Sequence, residues 1–292
     1  MLDKLKARFI GGIYFQELII ALVNIFTRKY SLWDRYAFYS YFIGNGYAIN
    51  KIYKALELKY SENNCFNFSN IYLPKMDDLK AKGAFIGEFF DFLYPVLNRN
   101  FARYTGEGPY LYKNVQINKD DIIIDAGANI GMFSALASSK GAIVYAFEPV
   151  EYIREKYLDK TAQLNPNIHI VPLALSNKNG FEDMEITIDN IGGSSIIIKR
   201  ANSVKEQVQT ITLDDWVKRN NVPRVDFIKA DIEGAEKLML EGAQWVLKTF
   251  APKLAICTYH LPDDKEVLTK LILKANPNYK IEYAWKKLYA IV

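Results

Sequence analysis

Residue types that often define a class of protein are scarce in this chain. Its 292 residues include two cysteines and two histidines. Cys65 and Cys257 are too few for a disulfide framework, and neither lies in a Cys-x-x-Cys or histidine-paired pattern. Both are therefore expected to be ordinary buried or half-buried thiols, which fits the reducing environment of the cytoplasm.

Long apolar runs are also lacking. The best candidate, residues 18–26, is much shorter than the roughly 20 apolar residues that a transmembrane helix needs. Lys4, Lys6 and Arg8 precede an apolar stretch, but no small-residue cleavage site follows them, so export is not expected. The sequence predicts a cytoplasmic protein without a transmembrane segment.

A strong charge of one sign is the third feature that is missing. The net charge is +4, and the excess lies in residues 1–60, which hold nine Lys and Arg against four Asp and Glu. This excess is too small for a nucleic-acid partner, which would require a basic stripe with stacking aromatics. It fits an anionic substrate, peripheral membrane contact or a solvated helix face, and these three interpretations stay open.

Apolar residues are abundant, at 50% of the chain, and aromatic residues make up 14%, so a substantial core is expected. Residues 1–100 have roughly helical spacing of apolar side chains and many aromatic rings. We expect a helical N-terminal region there. It would serve as a cap, as a substrate-binding region or as an oligomerisation surface, and the last of these would give a homodimer.

Residues 101–292 instead alternate between strand and helix patterns. This alternation predicts an α/β fold with a doubly wound, mostly parallel sheet and helices on both faces. A β-rich insertion is expected at 181–213 and a terminal antiparallel hairpin at 279–292. Predicted strands cover 121–125, 142–147, 168–173, 225–230 and 253–259, and predicted helices cover 131–139, 150–163, 235–247 and 264–275.

A glycine turn follows the first of these strands. Residues 125–131 read DAGANIG and open a helix, as in a nucleotide-binding turn. A dinucleotide fingerprint has glycine where Asn129 stands, because glycine lets the backbone approach a pyrophosphate. Asp125 would also repel phosphate. Both residues suit a cofactor with a positive centre and no phosphate, such as S-adenosylmethionine, so the sequence predicts a methyltransferase.

Ionisable side chains end four of the five predicted strands, at the sheet edge where ligands bind in open α/β folds. Asp125 ends the first, Glu148 the second and Asp231 the fourth, and His260 follows the fifth. Glu148 lies about twenty residues beyond the turn, where a carboxylate accepts hydrogen bonds from both ribose hydroxyls. Ser176 follows the third strand and is placed to flank the adenine.

Seven motifs occur in order between about residues 105 and 265, namely DAGANIG, AFEP, PLALSNKNG, GGSS, ITLDDW, VDFIKADIEGAE and PKLAICTYH. Together they resemble the FkbM family of methyltransferases, with DIEGAE and YH as the most specific. The resemblance implies a class I, Rossmann-like enzyme that methylates hydroxyls of sugars, polysaccharide precursors or secondary metabolites. It also implies an acid near the methyl group at Asp231 and cofactor contacts at Asp125, Gly127, Ala128, Asn129, Gly131, Glu148 and Glu107.

Methyl transfer to a hydroxyl requires alignment of oxygen, methyl and sulfur, and removal of the hydroxyl proton. The hypothesis is that His260 is the general base and that Asp231 or Glu233 orients it or the substrate. Two alternatives stay open. Glu233 and Glu236 could be acids that stabilise a helix N-terminus. Asp231, Glu233 and His260 could instead hold a divalent cation, although no metal is assigned.

The acceptor substrate is the property that the sequence defines least. Ser194 and Ser195 follow two glycines in the insertion, and they are expected to contact the substrate or the carboxylate of the cofactor, or to lie in a loop without a direct role. The expected acceptor is a hydroxyl of a sugar or glycan precursor, with a small secondary metabolite as the second choice. A non-catalytic adaptor that binds a membrane or a partner is the alternative from another class.

Overall fold

The described part of the N-terminal region begins and ends with helices, and the predicted helical residues 1–31 lie outside the described ranges. The computed structural model describes residues 32–98, 106–187, 193–199 and 203–292. Asp78 starts the third helix by accepting a hydrogen bond from the backbone N–H of Ala81 at 2.8 Å. That helix continues through a π-helical turn, Phe89–Leu93, into the fourth. The helices are α1 Leu32–Phe42, α2 Asn45–Tyr60, α3 Leu79–Glu88 and α4 Tyr94–Leu97.

A small antiparallel sheet separates α2 from α3, so the N-terminal region is not helical throughout. Its strands are β1 Ser61–Glu62, β2 Cys65–Asn67 and β3 Tyr72–Pro74. Asn63 and Asn64 join the first two strands with φ of 46° and 64°. Two consecutive residues with positive φ form the tight hairpin turn for which asparagine is well suited, and this turn chemistry overrides the helical spacing of the flanking residues.

Seven strands form the central sheet in the order β12-β13-β11-β10-β4-β5-β6. The pairs from β11 to β6 are parallel, whereas β13 is antiparallel to both of its neighbours. The predicted doubly wound sheet and terminal hairpin are therefore confirmed. In chain order the strands are β4 Ile122–Ala126, β5 Ile143–Phe147, β6 Ile168–Val171, β7 Ala174–Leu175, β8 Gly180–Thr187, β9 Ser203–Ile211, β10 Phe227–Ala230, β11 Lys253–Cys257, β12 Lys280–Ala284 and β13 Lys287–Ile291.

The helices that connect these strands differ from the sequence expectation in several places, most clearly between residues 235 and 247. The predicted helix 235–247 is interrupted at Gly242, where the chain runs so close to Ser176 that a Cβ would lie 2.2 Å from its carbonyl oxygen, so only glycine fits there. No helix in the described ranges is long and apolar enough to cross a bilayer. The helices are α5 Met132–Ser139, α6 Glu151–Ile153, α7 Asp159–Leu164, α8 Leu213–Arg219, α9 Glu236–Glu241, α10 Gln244–Phe250 and α11 Asp264–Ala275, with a π-helical turn at Arg154–Leu158 between α6 and α7.

The direction of the strand order reverses at β4. Strand β4 pairs with β5 on one side and with β10, much later in the chain, on the other. Such a switch point opens a crevice beyond the carboxyl ends of the strands, where open α/β sheets bind their ligands. The predicted β-rich insertion is an antiparallel ribbon of β8 and β9, and it follows the short strand β7.

The apolar core lies on both faces of the sheet. On one face it is continuous with the interior of the N-terminal region, because a chain of ring contacts crosses between them. The centroid of Tyr110 lies 5.2 Å from that of Phe92 and 5.3 Å from that of Phe133, and Phe133 in turn lies 5.9 Å from Phe227 of β10. Aromatic contacts at this spacing fix the helices of the N-terminal region against the switch point.

Candidate active site

Three residues of the glycine turn after β4 have positive φ angles. Gly127, Asn129 and Gly131 have φ of 75°, 50° and 85°. A Cβ at Gly127 would lie 2.0 Å from the carbonyl oxygen of Asp231, so only glycine allows the loop after β10 to approach the turn. Ala128 lies between them and is buried. The turn and the end of β10 therefore form a single edge.

Glu148 follows β5 and is fixed by two backbone groups. Its Oε2 accepts from the N–H of Asn129 and its Oε1 from the N–H of Val150, both at 3.0 Å. Burial raises the pKa of this carboxyl, and the two hydrogen bonds oppose that effect. Each carboxylate oxygen keeps a lone pair for a further donor, so Glu148 can accept hydroxyl groups from the crevice.

A cleft of about 580 Å³ runs from Glu148 to Asp231. We call it the adenosine cleft. Its walls include Phe147, Pro149, Leu175, Ile232 and Ser194. Among the described residues, no Lys or Arg lines it. A cleft with apolar walls, the three carboxylates of Glu148, Asp231 and Glu233, and no Lys or Arg to pair with phosphate fits a nucleoside with a sulfonium better than a dinucleotide.

A second cavity of about 840 Å³ lies on the other side of the glycine turn. We call it the acidic recess. Gly127, Asn129, Asp231 and Glu233 line both cavities, so the two are adjacent. Its acidic side chains come from α3 and its π-helical extension, from the segment before β4, and from the loop after β10. They are Glu88, Asp91, Glu107, Asp231 and Glu233.

Asp125 lies behind the turn and does not line either cavity. It is fully buried, 3.0 Å from Lys229 Nζ, and accepts from the Ser134 hydroxyl at 2.6 Å. Lys229 also donates to the carbonyl of Gly127 at 2.7 Å. The ion pair of Asp125 and Lys229 therefore supports the backbone of the turn. The predicted effect of Asp125 on the cofactor would be indirect, because this residue would position the turn that contacts the ligand.

Asp231 receives a hydrogen bond that the sequence does not reveal. The Tyr110 hydroxyl donates to its Oδ2 at 2.6 Å. Although burial opposes ionisation, Lys229, His260 and Lys287 together lower the pKa of Asp231, so the carboxylate is ionised. Tyr110 lies three residues after Glu107, for which the family resemblance implies a contact with the cofactor.

His260 lies directly behind Asp231. Its Nδ1 is 3.0 Å from Glu236 Oε1, and its Nε2 is 3.6 Å from Asp231 Oδ1 and 3.8 Å from Glu233 Oε2. Burial lowers the pKa of the imidazole, but the hydrogen bond and the charges of the three carboxylates outweigh it and raise the pKa to about 9. The predicted catalytic residues are thus adjacent, with Glu236 as an additional partner.

Glu236 explains why the imidazole is held so firmly. Its carboxylate is fully buried and accepts from the backbone N–H groups of Ile232 and Gly234 at 2.9 and 3.0 Å. It therefore closes the start of α9, as an acid at a helix N-terminus does, and also fixes His260. The sequence indicates only the first of these two functions.

The remaining predicted residues differ in their exposure to the cavities. Ser194 lines the adenosine cleft. Ser195 is buried, and its hydroxyl donates to the carbonyl of Glu233 at 2.5 Å, which ties the insertion to the loop after β10. Ser176 is also fully buried and does not line either cavity, where Leu173 and Leu175 lie instead. Contacts of these serines with ligands stay predictions.

The sheet order and the two-part crevice at its switch point define a class I, S-adenosylmethionine-dependent methyltransferase. Within that class, the chain belongs to the FkbM family, because the methyltransferase FkbM domain matches residues 125–281. The resemblance found in the sequence is therefore confirmed.

The chain is similar to several known methyltransferases. The hexuronic acid methyltransferase AglP of Haloferax volcanii is 25% identical over 166 residues, which make up 57% of this chain and 67% of that protein. A crystal structure of methyltransferase FkbM from Methylobacillus flagellatus is similar with a TM-score of 0.48 and 20% identity, over 82% of this chain and 58% of that one. Aeropyrum pernix fibrillarin, solved with S-adenosyl-L-methionine, has a TM-score of 0.39 and 12% identity, over 62% and 70% of the two chains.

Proposed function

We propose that this protein is an O-methyltransferase that methylates a hydroxyl of a sugar or glycan precursor. Support comes from the family and from the name of AglP, which acts on hexuronic acid. The observation that carries the proposal is that Asp231 and Glu233 line both cavities while His260 lies 3.6 Å from Asp231. A donor in one cavity and an acceptor in the other would meet at Asp231 and Glu233, and His260, which lines neither cavity, lies behind them. A small secondary metabolite is the second candidate acceptor.

The residues around the adenosine cleft would position the cofactor. S-adenosylmethionine supplies a methyl group that is already activated by a positive sulfur. Glu148 would accept the ribose hydroxyls, and the glycine turn would let the ligand approach the backbone at Gly127. Asp231 would face the positive centre, which its carboxylate stabilises electrostatically. Positioning of this kind is the main task of the protein in an in-line displacement.

The acceptor proton would pass to His260. An aliphatic hydroxyl is a poor nucleophile at neutral pH, and a positioned base typically contributes 10²- to 10⁴-fold to the rate. Glu236 would hold the imidazole ring by its Nδ1, and the buried Nε2, which faces Asp231 and Glu233, would be the atom that takes up the proton. Because the pKa of His260 is about 9, the neutral imidazole becomes more abundant as the pH rises toward 9.

A divalent cation is the second candidate for activating the hydroxyl. Ligand atoms of Asp231, Glu236 and His260 lie within 4.8 Å of one another. Glu236, however, already accepts two backbone N–H groups and contacts His260, so binding a cation would break existing hydrogen bonds. This occupancy favours the base. Full turnover after treatment with a chelator would support it, and a loss restored by Mg²⁺ would support the cation.

The N-terminal region, residues 1–100, would shape the acceptor side. Glu88, Asp91 and Phe92 of this region line the acidic recess, whereas the adenosine cleft is lined by residues after 125. We therefore propose that the N-terminal region acts as a cap that forms one wall of the acidic recess.

An acceptor screen with carbon-13-methyl S-adenosylmethionine would test the proposed function. Methyl glycosides of a neutral hexose, a hexosamine and a hexuronate would be incubated with the protein beside a panel of small phenols and alcohols. We expect release of S-adenosylhomocysteine with at least one sugar and an NMR signal of a methyl ether in the product. A methyl group found only on nitrogen or carbon would contradict O-methylation, and turnover confined to the small alcohols would contradict the sugar acceptor.

A further inference from the structure

Glu88 is a half-buried carboxyl group that the proposed chemistry does not use. It is the last residue of α3 and lines the acidic recess. Its Oε1 accepts from the side-chain amide of Asn129 at 2.6 Å. Among the described residues, no Lys, Arg or His lies within ion-pair distance of it. A half-buried carboxyl group without a cationic partner is costly to ionise unless a ligand supplies the positive charge.

Asn129 connects Glu88 to the ribose end of the cleft. Its backbone N–H donates to Glu148 at 3.0 Å, while its side chain donates to Glu88. One residue of the glycine turn thus holds two carboxyl groups, one at each side. A nucleoside bound by Glu148 would therefore extend over the turn toward Glu88.

The other acids of the recess already have partners within the protein. Asp231 accepts from Tyr110 and faces His260. Asp91 accepts from the backbone N–H of Glu107 at 3.4 Å. The charge of Lys287 acts on Glu107. Glu88 has only a neutral amide, which makes it the acid that most needs a cationic ligand.

The charges around Glu88 also leave its carboxyl group without sufficient positive charge nearby. Burial raises the pKa of Glu88 to about 8, Lys229 and the Asn129 hydrogen bond lower it, and Asp231 and Asp125 raise it further. Lys229 is shared with Asp125 and with the carbonyls of the turn. Asp91, Glu107 and Glu233 line the same recess and add negative charge.

We propose that Glu88 binds the ammonium group of the methionyl part of the cofactor, so that the N-terminal region completes the cofactor site. The inference rests on the proposed function in taking S-adenosylmethionine as the donor. Glu88 would be a binding residue and not a catalytic one. Cofactor binding would bring the ammonium to a carboxylate and release the proton that Glu88 carries in the free protein.

Two ligands that differ in the methionyl group test this proposal. S-adenosylhomocysteine contains the ammonium, whereas 5′-methylthioadenosine has the same nucleoside without it. The binding constants of both would be measured by calorimetry for the wild-type protein and for Glu88→Gln, which keeps the oxygen that accepts from Asn129. We expect the substitution to weaken S-adenosylhomocysteine about 10- to 100-fold, because it removes a charged hydrogen bond, and to change 5′-methylthioadenosine less than about twofold.

Control variants separate a binding role from a structural one. Glu57→Gln removes a carboxylate of α2 that does not line the recess, and it should leave both constants unchanged. Asp91→Asn tests the neighbouring acid. Equal weakening of both ligands by Glu88→Gln, no weakening of either, or a selective loss with Asp91→Asn alone would overturn the proposal.

Proton release provides an independent measurement. Titrations of S-adenosylhomocysteine at pH 7 in two buffers with different ionisation enthalpies report the protons that binding releases. The wild-type protein should release most of one proton and Glu88→Gln much less, and equal release from both would contradict the proposal. If neither ligand binds the wild-type protein, the cofactor assignment itself fails. If 5′-methylthioadenosine binds as tightly as S-adenosylhomocysteine, only the role of Glu88 fails.

Discussion

The hydroxyl of Tyr110 donates a 2.6 Å hydrogen bond to Oδ2 of Asp231, which lies 121 residues later in the chain. This bond crosses from the segment before β4 to the loop after β10. It fixes the carboxylate at the point where the adenosine cleft meets the acidic recess.

Removing that hydroxyl should slow the reaction. A hydrogen bond to a charged group contributes about 1.5–3 kcal/mol, so Tyr110→Phe should lower kcat/KM about 10- to 100-fold through a poorly held Asp231. Steady-state kinetics would measure this effect. Tyr112→Phe is the matched control, since the ring of Tyr112 packs on Trp285 and Tyr289. Equal activity of the two variants would contradict the importance of the bond.

The glycine turn should not tolerate a side chain. In Gly127→Ala the new Cβ would overlap the carbonyl oxygen of Asp231, and φ of 75° is strained for alanine. We expect loss of cofactor binding and a lower melting temperature, measured by calorimetry and thermal unfolding. Gly46→Ala in α2 meets ordinary contact at 3.5 Å and should be neutral or slightly stabilising. An unchanged affinity in Gly127→Ala would refute the close approach.

Glu148 should control the affinity for the nucleoside. Glu148→Gln places an amide NH₂ where the carboxylate now accepts backbone N–H groups and would accept ribose hydroxyls. We expect S-adenosylhomocysteine and 5′-methylthioadenosine to weaken equally, about 10- to 100-fold each. Glu151→Gln, an exposed neighbour, serves as the control. Loss of only one ligand would show that Glu148 does not contact the nucleoside.

The rate should depend on pH through His260. Its protonated form predominates below the pKa of about 9, and a base must first be neutral. With saturating substrates, kcat should therefore rise with pH, reach half of its maximum near the pKa of about 9 and level off above it. His260→Ala should remove this rise and lower kcat about 10²- to 10⁴-fold while cofactor binding persists. A wild-type profile that is flat between pH 6 and 9 would argue against the base.

Local patterns made the sheet and the adenosine cleft predictable. The apolar run before Asp125, the glycines after it and the acid at Glu148 all lie within short segments whose geometry the chain itself dictates. The strands β4, β5 and β10 accordingly appear within two residues of their expected positions. The N-terminal sheet was missed because its turns depend on Asn63 and Asn64, whose positive φ leaves no periodic signal.

Contacts between distant segments were not predictable in the same way. Glu88 meets Asn129 across 41 residues, and nothing near Glu88 in the sequence marks it as part of a site. Lys229 resembles an ordinary charged residue until the strand pairing brings it beside Asp125. Packing of the N-terminal region on the sheet determines these contacts.

A crystal structure of the protein with S-adenosylhomocysteine tests the central claim most directly. We predict the nucleoside in the adenosine cleft, with both ribose hydroxyls on the carboxylate of Glu148 and the sulfur next to Asp231. Electron density for the ligand at another place, or in the cleft without a contact to Glu148, would contradict the assignment.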